Sequence, residues 1–386
     1  MSVFEIDPSL PSIYVEEGCE YDLFVGGTYC FCGIYDPMAK AGYDFPLEPY
    51  YYIENTEPYS NPNLVIRSHI STREGNLPVT SIAEGAFYKV YIDLNFVDDP
   101  SIVDHLYGNG LIKSLVIPNT VEEIGDNAFR SCGNLTTVTI PSSVKHIGSG
   151  AFKDTPFLKN LQKKNPVVVI NNTLLDANAC DSPHVIIPQG VTFIAEDAFE
   201  SCENLESIVI PEGVTSIGDE FRNCKKLESV NIPKSVTRIS CLAFRNTPFL
   251  YKLRKQNPIV IINGILLDVS SYEGEELIIP KSVTQLSQGF LGGSKVRSLV
   301  IPSTVETIKE STVTSRSLKS VTIEKGVKII ENCAFRNCQN LSRVEIKDAK
   351  TRIEENAFHE CPNIMDVVLP ADSDPSYYDK AFKNCR

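Results

Sequence analysis

The 386-residue chain contains no tryptophan, only three methionines and only five histidines. No run of apolar residues approaches the ~18 needed for a helix to cross a membrane. Lysine and arginine number 36 against 49 aspartates and glutamates, so the net charge is −13 at pH 7. Because no basic stripe is present to neutralise phosphates, nucleic acid is excluded as the expected partner. The sequence also predicts no membrane span in this chain.

Recognisable catalytic motifs are missing as well. The chain has no phosphate-binding P-loop, no glycine-rich dinucleotide fingerprint and no nucleophile elbow. Adjacent carboxylates such as Glu122 and Glu123 are interpreted as solvated faces rather than as an acid and base pair. The histidines share no position and form no ligand pair at i, i+4; they are His69, His105, His146, His184 and His359. We therefore predict a protein that is not an enzyme and binds no cofactor or metal.

The N-terminal region, residues 1–63, differs in composition from the rest of the chain. It holds eleven acidic residues against one lysine, a balance of −10, together with nine of the sixteen tyrosines. We interpret it as a non-repeat cap on the first repeat, or alternatively as an acidic, tyrosine-rich surface that contacts a partner. Its first residues form neither a charged n-region nor an apolar h-region, which predicts no signal peptide in this chain.

From about residue 64 onward the chain repeats a single pattern, L-x-x-V-x-I-P-x-x-V-x-x-I-G-x-x-A-F-x-x-C. Neighbouring copies lie 22 or 23 residues apart, with two gaps of 47. A fixed period of this size predicts a stacked solenoid. The marker position is proline at Pro118, Pro141, Pro188, Pro211, Pro233, Pro280, Pro302 and Pro370, and Glu324 and Lys347 stand in its place in two further copies.

Each repeat has a simple physical interpretation. Apolar residues three and one positions before the proline alternate with polar ones, which is typical of a short strand with one buried face. The proline ends the strand because it cannot donate to the next rung. We predict a mainly β solenoid, a right-handed superhelix with one short strand per repeat and short helical or 3-10 turns, over residues 64–386.

The two long gaps contain similar segments, at Thr155–Asp176 and Thr247–Asp268. In each, Thr-Pro is an N-cap followed by a first helical residue, and Asn-Pro ends the helix. Asn171-Asn172 and Asn263-Gly264 then indicate tight hairpins. We interpret these segments as expanded double repeats near residues 141–187 and 233–279, rather than as catalytic insertions.

The repeats resemble the BspA-type leucine-rich repeat, whose signature is nearly intact from Ile117 to Leu135. Individual copies depart from it, since Lys350 replaces the inward valine and Val313 stands where phenylalanine is expected. The resemblance implies a protein-binding solenoid, of a kind found in microbial surface or secreted adhesins that bind host matrix proteins or other cells. An intracellular scaffold or adaptor is the alternative, because the thiols look unpaired and no leader is seen.

Six of the twelve cysteines occupy one repeat position, at Cys132, Cys202, Cys224, Cys338, Cys361 and Cys385. Thr155 and Thr247 fill the same position in the long repeats. A small side chain that alternates with threonine is typical of packing and turn bonding. Cys19, Cys30 and Cys32 form the only other cluster, and their spacing favours a structural or disulfide role over metal binding.

The remaining candidate for function is the outward face of the strands. Residues two, four and five positions before the proline should point to solvent and align down the stack as a protein-binding face of mixed charge. The candidates are Thr136, Thr137, Thr139, Glu206, Glu228, Asn231, Arg297, Lys319, Thr322, Arg343 and Glu345, with Val116, Val209 and Val300 between them.

Overall fold

The computed structural model describes residues 13–16, 19–24, 28–34, 63–66, 68–72, 75–87, 112–200, 202–373 and 381–382. The chain divides into two compact units. The first comprises Met1–Cys180 and Gly190–Cys202, and the second comprises Asp181–Gln189 and Glu203–Arg386.

The described residues of the first unit form three sheets and one helix. The first sheet contains β1 (Ile13–Glu16), β2 (Cys19–Phe24), β3 (Thr28–Ile34), β5 (His69–Thr72), β6 (Gly75–Ile82), β8 (Glu123–Ile124) and β10 (His146–Ile147). The second contains β4 (Asn63–Val65), β7 (Ser114–Val116) and β9 (Thr137–Thr139). Helix α1 (Pro156–Lys164) precedes the third, formed by β11 (Val168–Ile170), β12 (Thr173–Asp176) and β14 (Phe193–Ile194).

The second unit continues the same scheme. Its two sheets of longer strands are β13 (His184–Ile186), β15 (Ser207–Val209) and β17 (Ser229–Asn231), and then β21 (Glu276–Ile278), β23 (Ser298–Ile301), β25 (Ser320–Ile323), β27 (Arg343–Ile346) and β29 (Asp366–Val368). The others are β16 (Ser216–Ile217) with β18 (Arg238–Ile239), β19 (Val260–Ile262) with β20 (Ile265–Asp268) and β22 (Gln285–Leu286), and β24 (Thr307–Ile308) with β26 (Ile329–Ile330) and β28 (Arg352–Ile353). Helix α2 is Pro248–Gln256.

The predicted β-solenoid is confirmed, because equivalent strands of successive repeats pair in parallel with constant register. Leu299, Val321 and Val344 are register partners on β23, β25 and β27, and each is buried. The expectation of one strand per repeat needs a correction, since most repeats add a second strand of two residues, such as β24, β26 and β28. This strand forms where the inward isoleucine after the turn pairs with its equivalent one repeat away, as Ile308 does with Ile330.

Stacked phenylalanines form the centre of the core. Phe87, Phe129 and Phe152 lie in successive repeats of the first unit, with ring centroids 5.0 and 5.4 Å apart. In the second unit the Phe335 and Phe358 rings stack at 4.8 Å. Each repeat therefore completes the core of its neighbours, as a solenoid requires.

The repeats that depart from the consensus still fill the core, because another side chain occupies the inward position. Val313 is fully buried in the phenylalanine position, and its N–H donates to Ala334 O at 2.9 Å. Lys350 is exposed, whereas the adjacent Thr351 is buried and its hydroxyl donates to Val327 O at 2.7 Å. The inward position has therefore moved by one residue in that repeat.

The helices and hairpins predicted in the two long gaps are confirmed. Thr155 caps α1, with its Oγ1 accepting from Leu158 N at 3.1 Å, and Thr247 caps α2 through Leu250 N at 3.2 Å. Strands β11 and β12, and likewise β19 and β20, pair as antiparallel hairpins. In the second hairpin the Asn263 Nδ2 donates to the carbonyls of Pro233 and Val236, which ties the turn to the preceding repeat.

The packing role predicted for the repeat cysteines is confirmed for those that the structure describes. Their thiols are buried, and most bond to a backbone carbonyl, as Cys132 does to Phe87 O at 3.7 Å and Cys361 to Phe335 O at 3.1 Å. Burial raises the pKa of Cys132 to about 12 and that of Cys224 to about 11. The thiols of Cys132 and Cys224 therefore stay protonated and unreactive at neutral pH.

The N-terminal expectations are only partly covered by the described residues. The backbone of β3 pairs in parallel with β6, so the N-terminal strands extend the first sheet of the repeat array. The side chains of Cys19, Cys30 and Cys32, the N-terminal tyrosines and the whole of Cys385 lie outside the described residues. The cap at residues 1–63 and its possible partner contact remain predictions.

Thr173 provides a stability prediction, because its side chain is fully buried and its hydroxyl has no hydrogen-bond partner among the described residues. The matching residue of the second hairpin is Ile265. We expect Thr173→Val to raise the free energy of unfolding by about 1 kcal/mol, since the shape is kept and an unsatisfied polar group is removed. The control is Thr351→Val, which removes a buried hydroxyl that does donate a bond. Urea denaturation should show opposite shifts; two shifts of the same sign would contradict the assignment.

Candidate interaction faces

The outward residues predicted from the repeat all lie on solvent-facing sides of sheets. Nine of the eleven are exposed, and the other two, Thr322 and Glu345, are half-buried. The structure distributes them over three separate sheets. Thr136, Thr137 and Thr139 lie at β9 in the first unit, and the others belong to two sheets of the second unit.

We call the first of these two surfaces the acidic face, defined by Ile186, Glu206, Val209, Glu228 and Asn231 on the β13–β15–β17 sheet. Glu206 and Glu228 are neighbours on successive repeats, since the Glu228 N–H donates to Glu206 O at 2.9 Å. Both carboxylates are exposed, and among the described residues neither has a cation within salt-bridge distance. This face therefore presents two unneutralised negative charges side by side.

The second surface, on the β21–β23–β25–β27–β29 sheet, is the mixed-charge face, defined by Ile278, Arg297, Val300, Lys319, Thr322, Arg343 and Glu345. Arg297 NH1 lies 3.2 Å from Glu275 Oε1. Arg343 is paired with Asp366 and lies 3.6 Å from Glu345.

Lys319 differs from the two arginines of this face. Its N–H donates to Arg297 O at 2.7 Å, so the two cations are neighbours on successive repeats. Lys319 is exposed and has no ion-pair partner among the described residues. One free cation beside a paired one therefore gives this part of the face a positive character.

Exposed aliphatic side chains lie next to these charges. Ile186 is 74% exposed and Ile278 is 64% exposed, each on the first strand of its sheet. Both residues were missed as candidates, although their position two residues before the marker proline already indicated exposure. They align with Val209 and Val300 on the next strands. Exposed aliphatic residues aligned on neighbouring strands suit contact with a protein partner.

The described residues include no cluster of three or more His, Cys, Asp or Glu side chains arranged to bind a metal ion. Within the same ranges, no helix combines the length and hydropathy that a membrane span requires. The features that the structure brings together are thus exposed strands and their charges.

The family can be decided from the repeats themselves. Six copies of the BspA type leucine-rich repeat region match residues 68–177, 100–220, 178–265 and 269–386. The chain belongs to the BspA-type leucine-rich repeat family. This family is a repeat fold for protein interaction, which agrees with exposed faces built from stacked strands.

Solved structures similar to this BspA-type chain come from several bacteria. A leucine rich cell surface protein from Faecalibacterium prausnitzii A2-165 is 21% identical over 97% of this chain and 98% of its own, with a TM-score of 0.30. A leucine-rich repeat protein from Bacteroides ovatus is 20% identical over 94% of this chain and 89% of its own, with a TM-score of 0.29. The pneumococcal vaccine antigen PcpA is 15% identical over 97% and 96%, with a TM-score of 0.31. No curated protein matches the chain.

Proposed function

We propose that this BspA-type protein is an adhesin of a microbial cell surface, or a secreted one, that binds host or matrix proteins through its outward sheet faces. The observation that carries the proposal is the exposure of Ile186 and Ile278 beside ordered charges on stacked parallel strands. Parallel strands fix the spacing of these side chains, so little entropy is lost when a partner is bound.

The composition of the faces favours a partner recognised by charge as well as by apolar contact. Glu206, Glu228 and Lys319 are exposed and have no ion-pair partner among the described residues. Such charges set association rate and specificity more than they set affinity. We therefore expect binding that weakens as ionic strength rises.

Charge reversal on the mixed-charge face tests the proposal. We expect Arg297→Glu, Lys319→Glu and Arg343→Glu together to weaken capture on immobilised host matrix proteins at least about tenfold. The matched control is Lys234→Glu, Lys281→Glu and Lys325→Glu, which changes the net charge equally at exposed turn lysines away from the strands. Surface plasmon resonance would measure both, with circular dichroism to confirm folding. Equal binding by the two triple variants would contradict a site on this face.

The surface location is tested separately in cells of the source organism. Antibody raised against the repeat array should label intact cells, with permeabilised cells as the reference. Labelling only after permeabilisation would overturn the adhesin proposal and favour the adaptor alternative, whose partners would then be sought inside the cell.

A further inference from the structure

The acidic face and the mixed-charge face are copies of one another, displaced by about 92 residues in the sequence. Ile186 and Val209 are register partners on β13 and β15, and Ile278 and Val300 are register partners on β21 and β23. We call Ile186 with Val209, and Ile278 with Val300, the aliphatic row of each face, and Glu206 with Glu228, and Arg297 with Lys319, its charged row. Serines lie between the two rows on both faces; they are Ser207, Ser229, Ser298 and Ser320. The two faces thus present the same backbone and the same apolar row.

The charged row is inverted between these two copies. Glu206 and Glu228 precede β15 and β17, whereas Arg297 and Lys319 stand at the same positions before β23 and β25. In both pairs the backbone N–H of the second residue donates to the carbonyl of the first, at 2.9 Å and 2.7 Å. The backbone positions that carry the two negative charges are therefore spaced like those that carry the two positive ones.

The physical consequence is complementarity between different copies of the chain. A carboxylate pair without cations gains from meeting a cation pair at equal spacing, and the neighbouring aliphatic rows can then be buried together. Arg297 already contacts Glu275. Because this ion pair is exposed, it contributes little to stability, and the guanidinium can also bind a carboxylate of another copy. Lys319 supplies a cation with no competing partner among the described residues.

We infer that this protein self-associates, with the acidic face of one copy bound to the mixed-charge face of another. Glu206 and Glu228 of one copy meet Arg297 and Lys319 of the next. The inference rests on the proposed role of these faces in protein binding and names a second copy of the chain as a partner. It adds a homophilic contact to the proposed contact with host or matrix proteins.

The position and charge of helix α2 favour head-to-tail contacts over a two-fold dimer. The helix follows β17 in the stack, because the Phe249 N–H donates to Leu227 O at 2.8 Å, and it separates the β13–β15–β17 sheet from the sheet that begins at β21. It also carries exposed Lys252 and Lys255. A two-fold dimer would bring two such cationic helices together, whereas head-to-tail contacts leave them apart. Head-to-tail contacts that do not close produce chains of copies.

Complementary charge variants give a sharp test in the full chain. We expect the wild-type mass in sedimentation equilibrium to rise with concentration, and to fall to that of the monomer in 0.5 M salt. Glu206→Lys with Glu228→Lys makes both faces positive, and Arg297→Glu with Lys319→Glu makes both negative. Each double variant alone should self-associate at least about tenfold more weakly. Their equimolar mixture should recover association, and so should the variant that carries all four changes.

Recovery in the mixture cannot be produced by misfolded chains, so it would support the specific contact between the two faces. Wild-type protein that stays monomeric at all concentrations, or a mixture that associates no better than its parts, would overturn the inference. Capture on matrix proteins is scored in parallel on the same variants. If the wild type is monomeric and the charge variants lose capture, the homophilic contact is overturned and the proposed function stands. If the wild type self-associates but captures no matrix protein, the proposed function is overturned and the homophilic contact stands.

Discussion

Replacing Phe129 with alanine should lower the free energy of unfolding of the first unit by about 3–5 kcal/mol. The Phe129 ring is fully buried and stacks between Phe87 at 5.0 Å and Phe152 at 5.4 Å. Alanine would leave a cavity in the middle of this stack, and contacts to both neighbouring rings would be lost. The effect should reach both neighbouring repeats because each repeat is stabilised mainly by its neighbours.

Two further variants separate cavity formation from a general effect of mutation. Phe129→Leu fills part of the space and should cost less than the alanine variant. Thr136→Ala, on the exposed face, should change stability by no more than about 0.5 kcal/mol. Urea denaturation followed by circular dichroism gives the stabilities, and hydrogen exchange shows whether protection falls first in the repeats beside Phe129. An unchanged transition for Phe129→Ala would mean that the repeat is not stacked as described.

The regular part of the fold could be predicted from sequence because its information is local and repeated. The proline that ends a strand, the inward valine and the buried phenylalanine recur in phase, so an error in one copy is corrected by the others. The second strand that most repeats add was not predicted, because two residues leave no alternation to detect. The shift from Lys350 to Thr351 was also missed, since it depends on which side chain finds a carbonyl to bond, here Val327 O.

The two inserts show which features can be predicted from local sequence signals and which cannot. Thr155 and Pro156 predicted the start of α1, because N-caps act through their own backbone neighbours. The role of Phe157 could not be predicted in the same way. The Phe157 ring packs edge-on against Phe152, with ring centroids 5.2 Å apart. The helix therefore provides the phenylalanine that follows Phe152 in the core, because the hairpin strands contain no phenylalanine. This substitution depends on the three-dimensional path of the helix.

The candidate faces were predictable in outline and not in their electrostatics. Alternation along a strand places Arg297, Lys319 and Arg343 on the outside regardless of their partners. Which of them is neutralised depends on side chains one repeat away, such as Glu275 for Arg297 and Asp366 for Arg343. The repeat pattern does not distinguish these three cations. In the structure, Lys319 alone lacks an ion-pair partner among the described residues. This difference distinguishes Lys319 and its neighbour Arg297 from the rest of the face.

The two hairpins also hold equivalent buried carboxylates by different means. In the first, Asp176 accepts from Gln162 Nε2 at 2.7 Å and from Asn178 Nδ2 at 2.9 Å. Burial raises the pKa of Asp176, chiefly through desolvation, and the hydrogen bonds oppose this only in part. Because its folded pKa lies above the unfolded one, its favourable contribution is present at low pH and is lost as the pH rises through the folded pKa. In the second hairpin Asp268 is instead held by Arg254, with Nε and NH2 at 2.8 and 2.7 Å from its two oxygens.

Replacing Arg254 with alanine should therefore destabilise the second unit by about 2–3 kcal/mol. The Asp268 side chain is only 10% exposed, so removal of its cation leaves a largely desolvated carboxylate. The expected cost lies below that of a fully buried pair because Arg254 itself is 30% exposed and partly screened by solvent. Urea denaturation at neutral pH, followed by circular dichroism, measures the loss.

Arg254→Gln separates the charge from the hydrogen bond, since it copies the Gln162 arrangement that the first hairpin already uses. It should cost less than Arg254→Ala, because one donor to Asp268 is kept while the cation is lost. The reciprocal change, Gln162→Arg, should lower the pKa of Asp176 and stabilise the first unit at neutral pH, with the gain disappearing as Asp176 is protonated in acid. If alanine and glutamine at position 254 cost the same, the amide contributes nothing and the cation accounts for the whole effect. If neither costs anything, Asp268 is solvated after all and the hairpin is held by its backbone.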